Sequence, residues 1–141
     1  MEWLIRADDN GQELVLVRGL PGSGKSTYAR SLGYPNFEAD MFFIKDGKYV
    51  YNPAQISIAH GWCQKKASEA LAAGQSCVVS NTFTTKREME PYFEMGRKFN
   101  VPVRVVASKG QWQNQHGVPD EAMTRMKARW ENIPGETIIN G

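Results

Sequence analysis

The chain has 141 residues, 41% of them hydrophobic, and its 17 Lys and Arg against 15 Asp and Glu give a formal charge of +2. That length suits one compact domain and excludes a (β/α)₈ barrel or a motor ATPase with a separate lid domain. A wholly disordered chain is excluded by the apolar content, and a dedicated nucleic-acid binder with a strongly basic face is not demanded by the charge.

In chain order, residues 1–12 read as an N-terminal extension. Glu13-Leu14-Val15-Leu16-Val17-Arg18, closed by Gly19, predicts a buried strand. Lys25 to Leu32 predicts a helix ended by Gly33. Asn36-Phe37-Glu38-Ala39 predicts a second short strand, and Asp46-Gly47-Lys48 a turn between Met41-Phe42-Phe43-Ile44 and Tyr49-Val50-Tyr51. Asn52-Pro53 opens a helix whose apolar stripe is Ile56, His60, Cys63, Ala67, Ala70 and Leu71. Ser76 to Ser80 is the third strand. Thr85-Lys86-Arg87-Glu88 is a capping box for a helix carrying Pro91. Val101 to Ala107 is the fourth strand, Ser108 to Val118 a polar loop, Asp120 to Glu131 the last helix, and Thr137-Ile138-Ile139 a short strand. This β-α alternation predicts one α/β domain with a parallel sheet of four to five strands between helices.

Some functions are excluded by what the chain lacks. No apolar run approaches the ~20 residues that span a bilayer, and the start Met1-Glu2-Trp3-Leu4-Ile5-Arg6-Ala7-Asp8-Asp9 has no signal-peptide core. A cytoplasmic protein without a membrane partner is expected. Cys63 and Cys77 lack C-x-x-C spacing and have only His60 and His116 beside them, so no structural metal is expected. Both read as small, reduced, buried residues.

Gly19-Leu20-Pro21-Gly22-Ser23-Gly24-Lys25-Ser26 matches G-x-x-x-x-G-K-[ST] between a strand and a helix, the P-loop context. The glycines let backbone N–H groups converge on phosphate, and the helix start adds partial positive charge. Pro21, Gly22, Ser23, Gly24, Lys25, Ser26 and Thr27 are therefore the expected nucleotide-binding residues. Lys25 reaches the outer phosphates, the Ser26 hydroxyl is the Mg²⁺ ligand, and Thr27 supports the α-phosphate. A GTPase is disfavoured because no N-K-x-D element exists, and a motor ATPase because the third strand ends at Ser80-Asn81-Thr82 rather than in Asp. Kinases remain.

Asp40, at the end of the second strand, faces the ligand crevice of an open α/β sheet. It reads either as the base for an attacking hydroxyl, as a holder of water around Mg²⁺, or as a turn cap. His60 reads as a core histidine or a substrate contact, Trp62 and Trp130 as packing, and Trp112 as a stacking ring for adenine or substrate.

The P-loop with Glu38-Ala39-Asp40, Asp46-Gly47-Lys48-Tyr49, Asn52-Pro53 and Ala59-His60-x-Trp62-x-Gln64 resembles the polynucleotide-kinase-like P-loop kinases. So do Ser80-Asn81-Thr82, Met89-x-Pro91-Tyr92, His116-Gly117-Val118-Pro119 and Arg125-Met126-Lys127-x-Arg129-Trp130-Glu131, which extends the resemblance over residues 13–131. It implies a nucleoside-kinase-like three-layer α/β/α P-loop NTPase fold, a single kinase domain over 1–141, and a lid loop and helix over 108–131. It implies Asp40 as general base, Lys25 and Ser26 as phosphate and magnesium ligands, and Asn81 and Thr82 as a polar pair near the acceptor. Two positions depart: Phe43 stands where phage relatives carry an arginine for the acceptor's 3′-phosphate, and Gln113 near a lid arginine. Arg125, Arg129 or Lys109 is expected to replace that lid cation.

The expected function is an ATP- and Mg²⁺-dependent phosphotransferase acting on a nucleic acid or nucleotide hydroxyl. A 5′-hydroxyl end or a hydroxymethyl group of a modified phage DNA base would serve. The alternatives are a small-metabolite kinase and an ATP-binding regulatory module.

Overall fold

Strand β1 (Leu14–Arg18) is buried along its whole length, and alternation divides its side chains between two cores. Leu14 and Leu16 pack with Cys77 and Val79 on one face, Val15 and Val17 with Val78 and Val106 on the other. A strand buried on both sides needs helices on both sides. The computed structural model describes residues 11–110 and 119–140. Over these the chain runs β1, α1 (Lys25–Ser31), β2 (Asn36–Phe37), a 3₁₀ turn (Ala39–Phe43), β3 (Ile44–Lys45) and β4 (Lys48–Tyr49). A second 3₁₀ turn (Pro53–Gln55), α2 (Ile56–Ala72), β5 (Cys77–Asn81), α3 (Lys86–Phe99), β6 (Val103–Ser108), α4 (Asp120–Arg129) and β7 (Thr137–Ile139) follow.

β2, β5, β1, β6 and β7 lie in that order in one sheet, every pairing parallel. Cys63, Ala67, Ala70 and Leu71 of α2 with Met89 and Tyr92 of α3 cover one face, and Ala29 of α1 packs on the other. The result is the expected three-layer α/β/α fold with a five-stranded parallel sheet. Among the described residues no helix is long and apolar enough to cross a membrane.

The departures from the sequence reading are local. β2 stops at Phe37, and the residues expected to extend it and to flank the hairpin wind into the first 3₁₀ turn. The Asn81 Oδ1 accepts the Ala39 N–H at 2.9 Å, and Phe43 and Ala39 bury themselves against Ala59 of α2. That contact wins over strand propensity. The hairpin shrinks to the pairs Ile44–Tyr49 and Lys45–Lys48, with Asp46 and Gly47 both at positive φ as a two-residue turn requires. Asn52 caps the Ala54 N–H as expected, but a 3₁₀ turn precedes α2, so its buried stripe begins at Ala59. Ile56 is left exposed and His60 half-buried.

α3 keeps Pro91 inside it, stabilised by the Thr85 cap on the Glu88 N–H and by its buried face of Met89, Tyr92 and Gly96. Its end is a Schellman motif: Asn100 takes the left-handed conformation while Val101 N–H donates to the Gly96 carbonyl at 2.8 Å.

Candidate active site

Residues 19–24 carry the chain from β1 into α1, and the fold lashes them to the ends of two neighbouring strands. Gly19 N–H donates to the Thr82 carbonyl at 3.3 Å beyond β5. The Ser23 carbonyl accepts from Ser108 Oγ at 2.6 Å and from the Gly110 N–H at 3.1 Å beyond β6. Gly22 and Gly24 sit at φ of 83° and 88°, where any side chain is strained. At Gly19 a Cβ would run into Ser23 Oγ and approach the Ser108 carbonyl to 2.9 Å. A loop held this way presents backbone N–H groups at the mouth of α1, which suits phosphate. The residues present therefore fit a nucleotide's phosphates, and the Ser26 hydroxyl in the first turn of α1 could hold Mg²⁺.

Lys25 is the first residue of α1. Burial pushes its ammonium below the ordinary lysine value, against the opposing pull of the Glu38 and Asp40 carboxylates. Polyphosphate binds the charged form, so ATP affinity is expected to fall as pH rises through that lowered value, sooner than for an ordinary lysine. ATP binding should take up protons in the same window. Calorimetric titration at about pH 7 to 10 in two buffers of different ionisation heat checks this, and Lys25→Ala should abolish the proton uptake.

Asp40 lies in the first 3₁₀ turn, beyond the carboxyl end of β2. The Tyr49 hydroxyl donates to its Oδ1 at 3.1 Å. Desolvation of that hydroxyl, then the Asp40 charge, pushes the Tyr49 phenol up to about 12, so it remains a neutral donor near pH 7. Asn81 holds this turn from behind, its Oδ1 on the Ala39 N–H and its Nδ2 donating to Cys63 Sγ at 3.8 Å. Its amide is thus engaged in positioning Asp40. Thr82 meets the P-loop through its carbonyl. Cys63 and Cys77 are free, buried thiols, and burial pushes both up, Cys77 to about 12, which favours the protonated thiol near pH 7.

Two cavities bear on this site, and P-loop residues line one of them. One, of about 650 Å³, is lined by Arg30, Asn36, Glu38, Asp40, Met41, Ile44 and Tyr49 on the β2 side. The other, of about 510 Å³, lies on the β6 side between Leu20, Pro21, Gly22 and Ser23, the end of β6 at Ser108, Lys109 and Gly110, and α4. From α4 it takes Met123 and Lys127, one turn apart, and just past the helix end Trp130. Arg125 and Arg129 are exposed and line neither cavity, and His60 lines neither. Lys127 and Lys109 are the cations at this wall. Trp130 packs, as expected, with the Arg18 guanidinium 3.8 Å and the Lys109 ammonium 4.3 Å from its ring centroid. Phe43 is fully buried under the hairpin. Trp112, Gln113 and His116 lie outside the described residues.

Sequence reading missed Arg18, Glu38, Tyr49 and Lys127. For Lys127 the signal existed: Met123, Lys127 and Trp130 recur at helical spacing. For Tyr49 it did not, since nothing local says that a hairpin folds back on Asp40.

Comparison with known proteins bears on the family and the fold. Residues 14–133 match the family model described as an AAA domain. Human (Homo sapiens) NEDD4-binding protein 2 is 33% identical over 144 residues, covering 92% of this chain and 8% of that protein. The bifunctional polynucleotide phosphatase/kinase of Schizosaccharomyces pombe is 26% identical over 137 residues, covering 85% of this chain and 30% of its own. The chain thus spans less than a third of either relative. Among solved structures, a gluconokinase from Sinorhizobium meliloti superposes with a TM-score of 0.60 at 17% identity, over 92% of this chain and 82% of that one. That last likeness concerns the fold alone.

Proposed function

The chain belongs to the family of AAA domains matched over residues 14–133, and from that membership we propose an ATP- and Mg²⁺-dependent kinase acting on a hydroxyl of a nucleic acid or nucleotide. The observation that carries it is the placement of Asp40 and Lys25. The Asp40 charge acts on the Lys25 ammonium, and Asp40 lines a cavity on the β2 side of the sheet, whereas the cavity that P-loop residues line is on the β6 side of β1. A phosphoryl donor over the loop and an acceptor in the β2-side cavity would meet between them.

In this reading residues 21–27 hold the phosphates of ATP. Asp40 accepts the proton of the acceptor hydroxyl as its oxygen forms a bond to the γ-phosphorus. The bond from that phosphorus to the β–γ bridging oxygen breaks, and Lys25 offsets the charge left on ADP. Mg²⁺, held through Ser26, supplies further neutralisation of phosphate charge when bound. A cation from α4 completes the site: Lys127 faces the loop, and Arg125 and Arg129 stand on exposed turns of the same helix. Thr82 and Asn81 keep the loop and the Asp40 turn in register, and His60 is half-buried on α2.

A small-metabolite acceptor is the second reading, favoured by a β2-side cavity whose size suits a small ligand. ATP labelled at the γ-phosphate, offered with 5′-hydroxyl oligonucleotides, hydroxymethylated duplex, nucleosides and sugar acids, separates them. Label in oligonucleotide or modified duplex, lost in Lys25→Ala, is the expected result. Label confined to a nucleoside or sugar acid selects the second reading. ATP binding without transfer to any acceptor removes the kinase reading.

A further inference from the structure

Near its end, β5 carries a hydroxyl with nothing to bond. Ser80 is fully buried, and its Oγ has no hydrogen-bond partner among the described residues. A hydroxyl kept dry and unpaired is a cost to the ligand-free fold. Its direction follows from alternation along the strand. Cys77 and Val79 turn to the core under α2 and α3, and Val78 to the core under α1, so Ser80 points with Val78 to the α1 side. The register sets it beside Val17, two residues before Gly19 opens the P-loop. α1 packs over this pair of strands, with Ala29 on Val15, Val17 and Val78. Ser26, three residues before Ala29, lies on the same side of the helix, one turn nearer its start. A crossover between parallel strands returns against them, so one turn back along α1 and two residues forward along β5 reach the same level. The Ser80 hydroxyl is thus at the level of Ser26, on the carboxyl edge of the sheet.

We infer that Ser80 is a further residue of the nucleotide site: its hydroxyl accepts a hydrogen bond from a water of the Mg²⁺ that Ser26 would hold, and so steadies the metal from the β5 side. Mg²⁺ keeps several of its waters and takes few protein ligands beside phosphate, and such outer partners tune how tightly it is held. Among the described residues no cluster of three or more His, Cys, Asp or Glu side chains could hold the ion itself. The next polar group of β5, the Asn81 amide, is engaged with Ala39 and Cys63. That leaves the Ser80 hydroxyl as the strand's acceptor on the P-loop side. This role rests on nucleotide binding at residues 21–27 and requires neither Asp40 nor an acceptor substrate. A serine that merely fills space would be matched by alanine, at a gain in stability and with nothing else changed.

The test is calorimetric titration of the full chain with β,γ-methylene-ATP, whose β–γ link resists transfer, over a series of Mg²⁺ concentrations and in EDTA. Ser80→Ala should raise the half-saturating Mg²⁺ concentration about ten-fold, the lower end of the range for losing an outer partner of a metal site, and leave binding in EDTA unchanged. Its ligand-free Tm should equal or exceed that of the wild type, because an unpaired buried hydroxyl is gone. Ser80→Thr and Ser80→Val form a second pair of similar shape, so any cost of the added methyl group is shared between them. The threonine variant should need about ten-fold less Mg²⁺ than the valine variant. Unchanged Mg²⁺ dependence in Ser80→Ala, a loss of equal size in EDTA, or threonine and valine variants that respond alike overturns the role given to Ser80 and leaves nucleotide binding standing. An analogue that fails to bind the wild type, with or without Mg²⁺, overturns the nucleotide site and this role together.

Discussion

Asp40→Asn is expected to lower phosphate transfer about 10²–10⁴-fold, the range for loss of a positioned general base, while ATP affinity and Tm change little. Asparagine keeps the volume and an Oδ1 that can accept the Tyr49 hydroxyl, so the hydrogen bond on this half-buried turn persists in neutral form. The turn itself is held by the Asn81 Oδ1 on the Ala39 N–H and by Phe43 packed on Ala59, and the substitution touches neither. In the proposed site the nucleotide is held by residues 21–27, where the substitution removes only a neighbouring negative charge. ATP binding could then tighten slightly, because the Asp40 carboxylate repels phosphate across Lys25. The measurement is paired on one variant: product formation with saturating acceptor, and ATP binding by calorimetry. Transfer preserved within a few-fold would make Asp40 a cap of its 3₁₀ turn. A collapse of ATP binding would make it a ligand of the metal's water shell.

Much of this arrangement was legible in the sequence because its signals are local. The P-loop needs its glycines at fixed positions, β1 needs an unbroken apolar run, and the Asp46-Gly47 turn needs two residues that tolerate positive φ. Asp40 could be placed at the sheet's carboxyl edge for the same reason. What escaped depends on contacts between distant residues. Nothing around Phe37 says that β2 stops there, because the donor that diverts the chain pairs with Asn81, on another strand. Ile56 reads as the start of a buried stripe until the 3₁₀ turn at Pro53 sets the phase of α2. Arg125 and Arg129 stand in the resembling block, yet the periodicity of α4 turns Lys127 to the P-loop instead. Arg18 is the clearest case, because an arginine ending an apolar strand reads as the place where the strand reaches water.

Replacing Arg18 by methionine is expected to destabilise the fold by about 3–5 kcal/mol, the cost of leaving a buried ionic partner alone. Arg18 is fully buried, and all three guanidinium nitrogens are used. Its Nε donates to the Phe83 carbonyl at 2.9 Å, one terminal nitrogen to the Thr84 carbonyl at 3.1 Å, and the other to Glu136 Oε1 at 2.9 Å. The flat of the guanidinium covers the Trp130 ring. Glu136 is itself buried, and its other oxygen accepts the Ile133 N–H at 2.9 Å. The Glu131 N–H donates to the Thr84 carbonyl at 2.8 Å, so the segment after α4 is pinned to the end of β5 through groups that Arg18 also holds. One side chain thus joins β1, the turn after β5 and the return to β7, immediately before Gly19. Methionine fills the volume but leaves Glu136 Oε1 and the Phe83 carbonyl without the guanidinium, while the Thr84 carbonyl keeps the Glu131 N–H. Arg18→Lys should also destabilise, since one ammonium cannot span the fork. Glu136→Gln on the methionine background should restore part of the loss by removing the stranded charge, giving a double-mutant coupling of about 0.5–3 kcal/mol. Denaturant midpoints of the four proteins measure this, with ATP titration alongside. Trp130 lines the β6-side cavity, so the methionine variant should bind ATP more weakly even where it is fully folded. A loss below about 1 kcal/mol with normal ATP affinity would mean that the segment after α4 is anchored elsewhere, and that Arg18 is a passenger of the strand it ends.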